Sequence, residues 1–295
     1  MRAALLVIAS AVCFGTTGTA QAYGPDAASS SAVGLARIVA GGALLGLVAW
    51  WVAGRPSPRA LGTSRGGLWA VLVGGAAVLA YQPTFFAGAR LNGVAIGAVV
   101  TLGAAPALTG LLEWCLTRTV PARTWFVATG CAVVGVVLLS GLAEGAGDHV
   151  SLPGLAGSLG AALSYAVYTL AAKRLLTDGW TPTAAIGSVF GTAAVLGLPF
   201  LLLVDLAPLA SWPGVRMVGW LAIVTVVVAY VLFAVGLQSL SAATVSTLTL
   251  AEPVTACVLG LVLLDERVSS AGWLGLVVLL GGVALLAVPR RTVPA

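Results

Sequence analysis

The stretch Leu240–Leu264, LSAATVSTLTLAEPVTACVLGLVLL, decides how the rest of the chain is read. It carries no charge except Glu252, which stands beside Pro253 near its centre. An apolar run of about 20 residues or more reads as a membrane-spanning helix. A carboxylate near the bilayer middle costs about 3 kcal/mol on insertion scales, so it faces a bundle interior or a water-filled cavity. Pro253 removes a backbone donor and crowds the preceding turn. The carbonyl of Thr249 is therefore expected to lose its helical partner, and the helix to kink or open there. A charge and a broken ladder at one level suit a binding site at the membrane midplane. The plainer alternative makes Glu252 a structural residue paired across helices.

Composition extends this reading to the whole chain. Of 295 residues, 60% are hydrophobic and 8% charged, and the mean hydropathy is +1.08, where soluble domains carry about 25% charge. No water-soluble fold hides that much apolar surface, so the chain is a polytopic membrane protein. Its basic residues cluster no further than Lys173–Arg174 and Arg290–Arg291, which speaks against nucleic acid. The four cysteines (Cys13, Cys115, Cys131, Cys257) make no CxxC pair, and His149, beside Asp148, is the single histidine. HExxH does not occur and one histidine supplies no nucleophile–base set, so no metal, no cofactor and no enzymatic chemistry is expected. Arg2, an apolar run and Ala20-Gln21-Ala22 imitate a cleavable signal, but the repeat described below makes that segment the counterpart of a mid-chain helix, and it is expected to be retained.

Ten apolar segments follow one another: Ala3–Gln21, Ala32–Ala53, Gly67–Phe86, Gly93–Leu116, Thr124–Leu142, Pro153–Ala172, Thr183–Val204, Met217–Leu237, Leu240–Leu264 and Ala271–Val288. With the N-terminus inside, Arg2, Arg55, Arg59, Arg65, Arg118, Arg123, Lys173, Arg174, Arg290 and Arg291 lie inside, against Arg90, Arg216 and Arg267 outside. The positive-inside rule then places both termini in the cytoplasm. The acidic residues Asp26, Glu144, Asp148, Asp205, Asp265 and Glu266 fall outside, with Asp178 the exception.

The chain also repeats itself. Leu91-Asn92-Gly93-Val94-Ala95 through Thr101-Leu102-Gly103-Ala104-Ala105-Pro106 parallels Leu240-Ser241-Ala242-Ala243 through Thr249-Leu250-Ala251-Glu252-Pro253, with a slip of one residue before the proline. Trp125 and Trp273 each open the helix that follows, and Ala11-Val12-Cys13-Phe14-Gly15 resembles Leu163-Ser164-Tyr165-Ala166. Two five-helix halves, 1–145 and 146–295, are expected. An odd number of spans makes the halves insert with opposite orientation, the inverted-repeat plan of alternating-access transporters.

At these residues the chain resembles the EamA family of the drug/metabolite transporter superfamily. Ala161-Ala162-Leu163-Ser164-Tyr165-Ala166-Val167-Tyr168-Thr169-Leu170, ending in Lys173-Arg174, is similar to the helix that opens the family's second half. Ala229-Tyr230-Val231-Leu232-Phe233 with Gly236-Leu237-Gln238 is similar to its eighth helix. Glu252-Pro253, Gly260 and Asp265-Glu266-Arg267-Val268 are similar to its ninth helix and following turn. The first half departs from the pattern: Thr117-Arg118-Thr119 stands where a Gly-Glu-Arg turn is usual, and Ala105 precedes its proline. The resemblance implies an all-α fold of ten transmembrane helices and a secondary transporter, commonly an exporter of amino acids, other metabolites or toxic compounds. It also implies a central cavity lined by the first four helices of each half, the fifth and tenth being peripheral.

Helical spacing nominates the lining. Ser10, Phe14, Thr17 and Gln21 share one face, as do Thr101, Ala105, Thr109 and Glu113, then Ala161, Tyr165, Tyr168 and Ala172, and finally Val245, Thr249, Glu252 and Ala256. Taken singly, each Ser or Thr reads as bonding its own backbone. Together the four rows nominate Phe14, Thr17, Thr101, Tyr165, Tyr168, Thr249 and Glu252 for a shared cavity, joined by the mid-helix Tyr81, Gln82 and Tyr230. Pro106 and Pro253 are the expected helix breaks, and Gln82-Pro83 is expected to interrupt the third helix. Arg37 either snorkels outward or serves as charge partner to Glu252 or to a substrate carboxylate. Glu113 reads as an interfacial residue or a gate pair with Arg118. The nine tryptophans sit mostly near segment ends and read as an interfacial belt. Protonation of Glu252 would remove a buried charge and let the cavity close, with Arg37 competing for it. A proton is thus the candidate coupling ion, beside a small-molecule substrate and the lipid bilayer. A passive facilitator is the alternative reading.

Overall fold

In the computed structural model of the protein, residues 1–52, 65–140, 151–264 and 269–287 are described, and their regular elements are all helical. Arg55, Arg59, Glu144, Asp148, His149, Asp265, Glu266, Arg267, Val268, Arg290 and Arg291 lie outside the described residues, as does the expected boundary at 145/146. Among the described residues, helices fall in the expected apolar segments. They are α1 (Arg2–Ala22), α2 (Ser30–Val52), α3 (Arg65–Asn92), α4 (Val94–Thr117), α5 (Arg123–Leu139), α6 (Leu152–Thr177), α7 (Pro182–Gly197, extended by a 3₁₀ turn Leu198–Leu203), α8 (Trp212–Ser239), α9 (Ala242–Leu263) and α10 (Ser270–Ala287). Among the described residues nine of these are long and apolar enough to cross a membrane, and α5 has 17 residues.

The prolines do not act alike. α3 runs unbroken through Pro83 and α4 through Pro106, so neither the interruption expected at Gln82-Pro83 nor the break expected at Pro106 is present. A proline removes one ladder bond, here the one to the Leu79 or the Leu102 carbonyl, and the rest of each helix continues around it. Neighbouring hydroxyls add bonds to other carbonyls of these turns: Thr84 Oγ1 donates to Ala80 (2.7 Å) and Tyr81 (3.0 Å), and Thr109 Oγ1 to Ala105 (2.7 Å). At Pro253 the ladder does change. α9 is α-helical over Ala242–Leu248, tightens to a 3₁₀ turn over Thr249–Ala251, and resumes at Glu252. The Thr249 carbonyl is not left empty, as the sequence led us to expect, because the Glu252 N–H reaches it across the tighter turn.

Packing pairs the helices reciprocally. α1 lies on α8 and α9, while α6 lies on α3 and α4; α2 packs on α7 and α5 on α10. Small residues allow these approaches. A methyl added at Gly275 would come within 2.7 Å of the Gly135 carbonyl, and one at Gly135 within 2.7 Å of the Gly275 carbonyl, so α5 and α10 touch backbone to backbone. The outer surface is apolar, with Trp51, Leu202, Leu203 and Val277 strongly exposed, as lipid contact demands. The polar residues buried inside are chiefly hydroxyls, such as Ser10, Thr101, Thr169 and Ser246.

Candidate functional site

A cavity of about 80 Å³ lies midway along the bundle, between helices of both halves. α9 supplies Ser246, Thr249, Leu250 and Glu252, residues that flank or form its 3₁₀ turn. Because the turn winds at about 3.0 residues rather than 3.6, it advances each residue by about 120° instead of 100°, or about 60° over three residues. The break therefore helps set which way Glu252 faces.

The opposite charge comes from α2. Arg37 lines the same cavity, and its Nη2 donates to the carbonyl of Thr225 on α8 at 3.3 Å. That carbonyl sits in a π-helical stretch, Ile223–Val228, inside α8. The cause is legible in IVTVVV, six β-branched residues in succession, which crowd the ordinary helical turn. Wide turns of this kind recur at functional sites. Arg37 Nε is buried without a partner, and among the described residues the one ion pair is Arg174–Asp178. Arg37 and Glu252 thus share a cavity without bonding each other, and Arg37 does not snorkel outward.

Aromatic rings form the remaining wall. Tyr230 packs on Phe14 (ring centroids 4.9 Å apart) and Phe190 (4.1 Å), and its hydroxyl meets that of Tyr168 at 3.2 Å. The Tyr165 hydroxyl meets Thr249 Oγ1 at 3.0 Å, which fixes α6 against the break in α9. These rings offer faces to an ammonium group and hydroxyls to a carboxylate.

Of the nominated residues, Phe14, Tyr81, Gln82, Thr101, Tyr165, Tyr168, Tyr230, Thr249, Glu252 and Arg37 all line this cavity. Thr17 does not, since it lies one turn beyond the cavity level on α1. Ser246 and the apolar Ile38, Val78, Leu102 and Leu250 line it although helical spacing did not nominate them. Ser246 was visible as the residue one turn before Thr249; the apolar four carried no distinguishing signal. Two other expectations need correcting. Glu113 pairs with the backbone N–H groups of Ala242 and Ala243, both at 2.9 Å, rather than with Arg118. Trp125 does not face outward as a belt residue would: it is buried within the bundle and donates Nε1–H to the Ala243 carbonyl at 3.0 Å. A second groove of about 320 Å³ opens between α1, α8 and α9 near Tyr23, Arg216, Trp220 and Leu263.

Comparison with known proteins agrees with this architecture. The model of the EamA-like transporter family matches residues 1–141 and 152–288. The Uncharacterized transporter YwfM of Bacillus subtilis is 33% identical over 288 residues, 97% of this chain and 94% of its own. The Threonine/homoserine exporter RhtA of Escherichia coli is 32% identical over 144 residues, 49% of this chain and 48% of its own. A crystal structure of a protein 20% identical shares the fold, with a TM-score of 0.76 over 96% of this chain and 95% of that one.

Proposed function

The chain belongs to the EamA-like transporter family, and on that premise we propose that this multi-pass membrane protein is a secondary transporter exporting a small amino-acid-like zwitterion by alternating access. The observation that carries the reading is the pair of opposite charges, Arg37 and Glu252, lining one small cavity without an ion pair between them. A solute with a carboxylate and an ammonium satisfies both at once. A simple acid or amine leaves one charge uncompensated, which is costly in a low-dielectric site. Threonine and homoserine, which the exporter RhtA is named for, are of this class.

Ten spans arranged as an inverted repeat fit this function. The reciprocal packing of α1 on α8 and α9, and of α6 on α3 and α4, supports that plan, as do the two stretches matched by the family model. Arg and Lys placement supports cytoplasmic termini. Glu252 is the group that exchanges its charge for a proton during the cycle, and Arg37 holds the substrate carboxylate.

The test is counterflow in proteoliposomes across threonine, homoserine, other neutral amino acids, and matched acids and amines lacking one charge. Exchange of the zwitterions, abolished by Arg37→Ala, is the expected result. Transport of the single-charge analogues as readily as the amino acids would overturn the reading. Flux that never exceeds the solute gradient, and ignores an uncoupler, would instead favour a passive facilitator.

A further inference from the structure

The turn between α8 and α9, Ser239–Ser241, is held by two side chains of opposite sign that come from elsewhere in the fold. Glu113, near the end of α4, accepts the N–H groups of Ala242 and Ala243 on its two carboxylate oxygens, each at 2.9 Å. Lys173, near the end of α6, donates Nζ–H to the carbonyls of Leu237 (2.8 Å) and Leu240 (2.7 Å). A carboxylate thus sits on the positive start of α9, and an ammonium on the negative end of α8. Each charge is matched to a helix terminus.

A static cap does not require this arrangement. α9 already has a local one, since Ser241 Oγ accepts the Thr244 N–H at 3.1 Å. Glu113 adds a bond between halves of the molecule, and it is not alone. Trp125 Nε1 bonds the Ala243 carbonyl, and Thr129 and Thr247 share a hydroxyl bond at 2.8 Å. All three contacts fall on the stretch of α9 before its break. That stretch packs on α4 and is buried almost throughout, whereas Glu252–Leu263 packs chiefly on α1 and is largely exposed or half-exposed. The 320 Å³ groove opens at the latter end. α9 is fastened to α4 and α5 before its 3₁₀ turn, and after it lies on α1 beside the groove, where the Tyr23 hydroxyl donates to the Leu263 carbonyl at 3.4 Å.

We propose that Glu113 and Lys173 form a latch that keeps the cytoplasmic end of the transport path closed in this conformation, and that both contacts release when the path opens inward. The inference rests on the transporter reading and its orientation. Release is reversible because water can take over the freed N–H and carbonyl groups at the membrane surface.

The experiment places a reporter in the cavity, Ser246→Cys, in a chain whose Cys13, Cys115, Cys131 and Cys257 are replaced by alanine. A membrane-impermeant methanethiosulfonate is applied to right-side-out and inside-out vesicles, with sidedness fixed by protease cleavage of a C-terminal tag. Glu113→Ala and Lys173→Ala should each raise the labelling rate from the cytoplasmic face about tenfold or more and lower it from the outer face, since loss of a charge-assisted bond shifts a two-state equilibrium by such factors. Glu113→Gln, which keeps the side-chain volume, should shift both rates in the same directions by less. Unchanged rates overturn the latch, and so does an equal rise from both faces, which would mark general loosening. Labelling needs no substrate, so a wrong substrate class leaves this test intact. Opposed changes with the faces exchanged would support the latch and sink the orientation.

Discussion

Glu252 on α9 and Arg37 on α2 line one cavity from opposite halves of the molecule, and no ion pair joins them. Arg37 is steadied instead by the Thr225 carbonyl, 3.3 Å from its Nη2. If Arg37 receives a substrate carboxylate, Arg37→Lys fails to restore function, because an ammonium cannot reproduce the guanidinium fork. Both Arg37→Ala and Arg37→Lys are expected to lower kcat/KM about 10- to 100-fold, the range of a lost charge-assisted bond. Counterflow kinetics on equally expressed proteins decides this, and a fully active lysine variant refutes it.

Glu252→Gln keeps the shape of the side chain and removes its ability to gain or lose a proton. The expected outcome is a transport rate that no longer varies with pH between about 5 and 8, and a proton gradient that no longer drives accumulation. Substrate-stimulated proton flux, followed with a pH dye inside proteoliposomes, should disappear as well. An unchanged pH profile in the variant would remove Glu252 from coupling.

Much of this site is legible from sequence because membranes make polar residues conspicuous. Glu252, Arg37 and the mid-helix tyrosines stand out in apolar runs, and helical spacing sets Glu252 in line with Thr249 and Tyr165 in line with Tyr168. Backbone geometry is harder to read. A proline states that one donor is missing but not whether neighbours compensate, so Pro83 and Pro106 sit in unbroken helices while Pro253 marks a true break. The π-helical turn in α8 has a signal in its six β-branched residues, yet no spacing rule links Thr225 to Arg37, 188 positions away. Glu113 and Trp125 depart from expectation for a related reason. Their partners are backbone atoms of α9, and backbone partners leave no trace in side-chain pattern.

Trp125→Phe tests the buried bond between α5 and α9. The ring volume is largely kept, while the donor to the Ala243 carbonyl is lost. That carbonyl also accepts from Thr247 Oγ1 at 3.1 Å, so the cost is expected at about 1 kcal/mol, the lower part of the range for an unsatisfied buried group. A drop of a few degrees in Tm, measured in detergent by intrinsic fluorescence, is the expected outcome. No change would mean that the bond adds nothing beyond packing.

Gly15 is where α1 touches the turn that carries Glu252. A methyl there would come within 2.5 Å of Thr255 Cβ and 2.8 Å of the Glu252 carbonyl, so Gly15→Ala must push α1 and α9 apart at cavity level. At Gly18 on the same helix an added methyl would meet nothing within 4 Å, and Gly18→Ala should be neutral or stabilising by up to about 1 kcal/mol. The pair separates geometry from polarity, since neither change alters a polar side chain. Transport is expected to fall about tenfold for Gly15→Ala, consistent with the sensitivity of bound geometry to shifts near 1 Å, and to stay near wild type for Gly18→Ala. Equal activity of the two variants would show that the α1–α9 contact does not position Glu252.

Pro253→Ala against Pro106→Ala asks whether the break in α9 is part of the mechanism. In α4 the helix already runs through Pro106, so alanine there restores one ladder bond without reorienting anything, and transport should stay within about twofold of wild type while helix propensity favours stability. In α9 an alanine at 253 supplies an N–H that can reach the Thr249 carbonyl, which now accepts from Glu252 across the 3₁₀ turn. The turn can then relax to ordinary α-helix, and Glu252 would rotate by as much as about 60° relative to the stretch before it. That rotation carries the carboxylate away from Arg37 and loosens the Tyr165–Thr249 contact, so activity should fall about tenfold or more even as Tm holds or rises. A stabilised, inactive Pro253→Ala beside an active Pro106→Ala would assign the break to function. Two active variants would reduce Pro253 to a feature of helix shape, and the orientation of Glu252 would have to be held by packing alone.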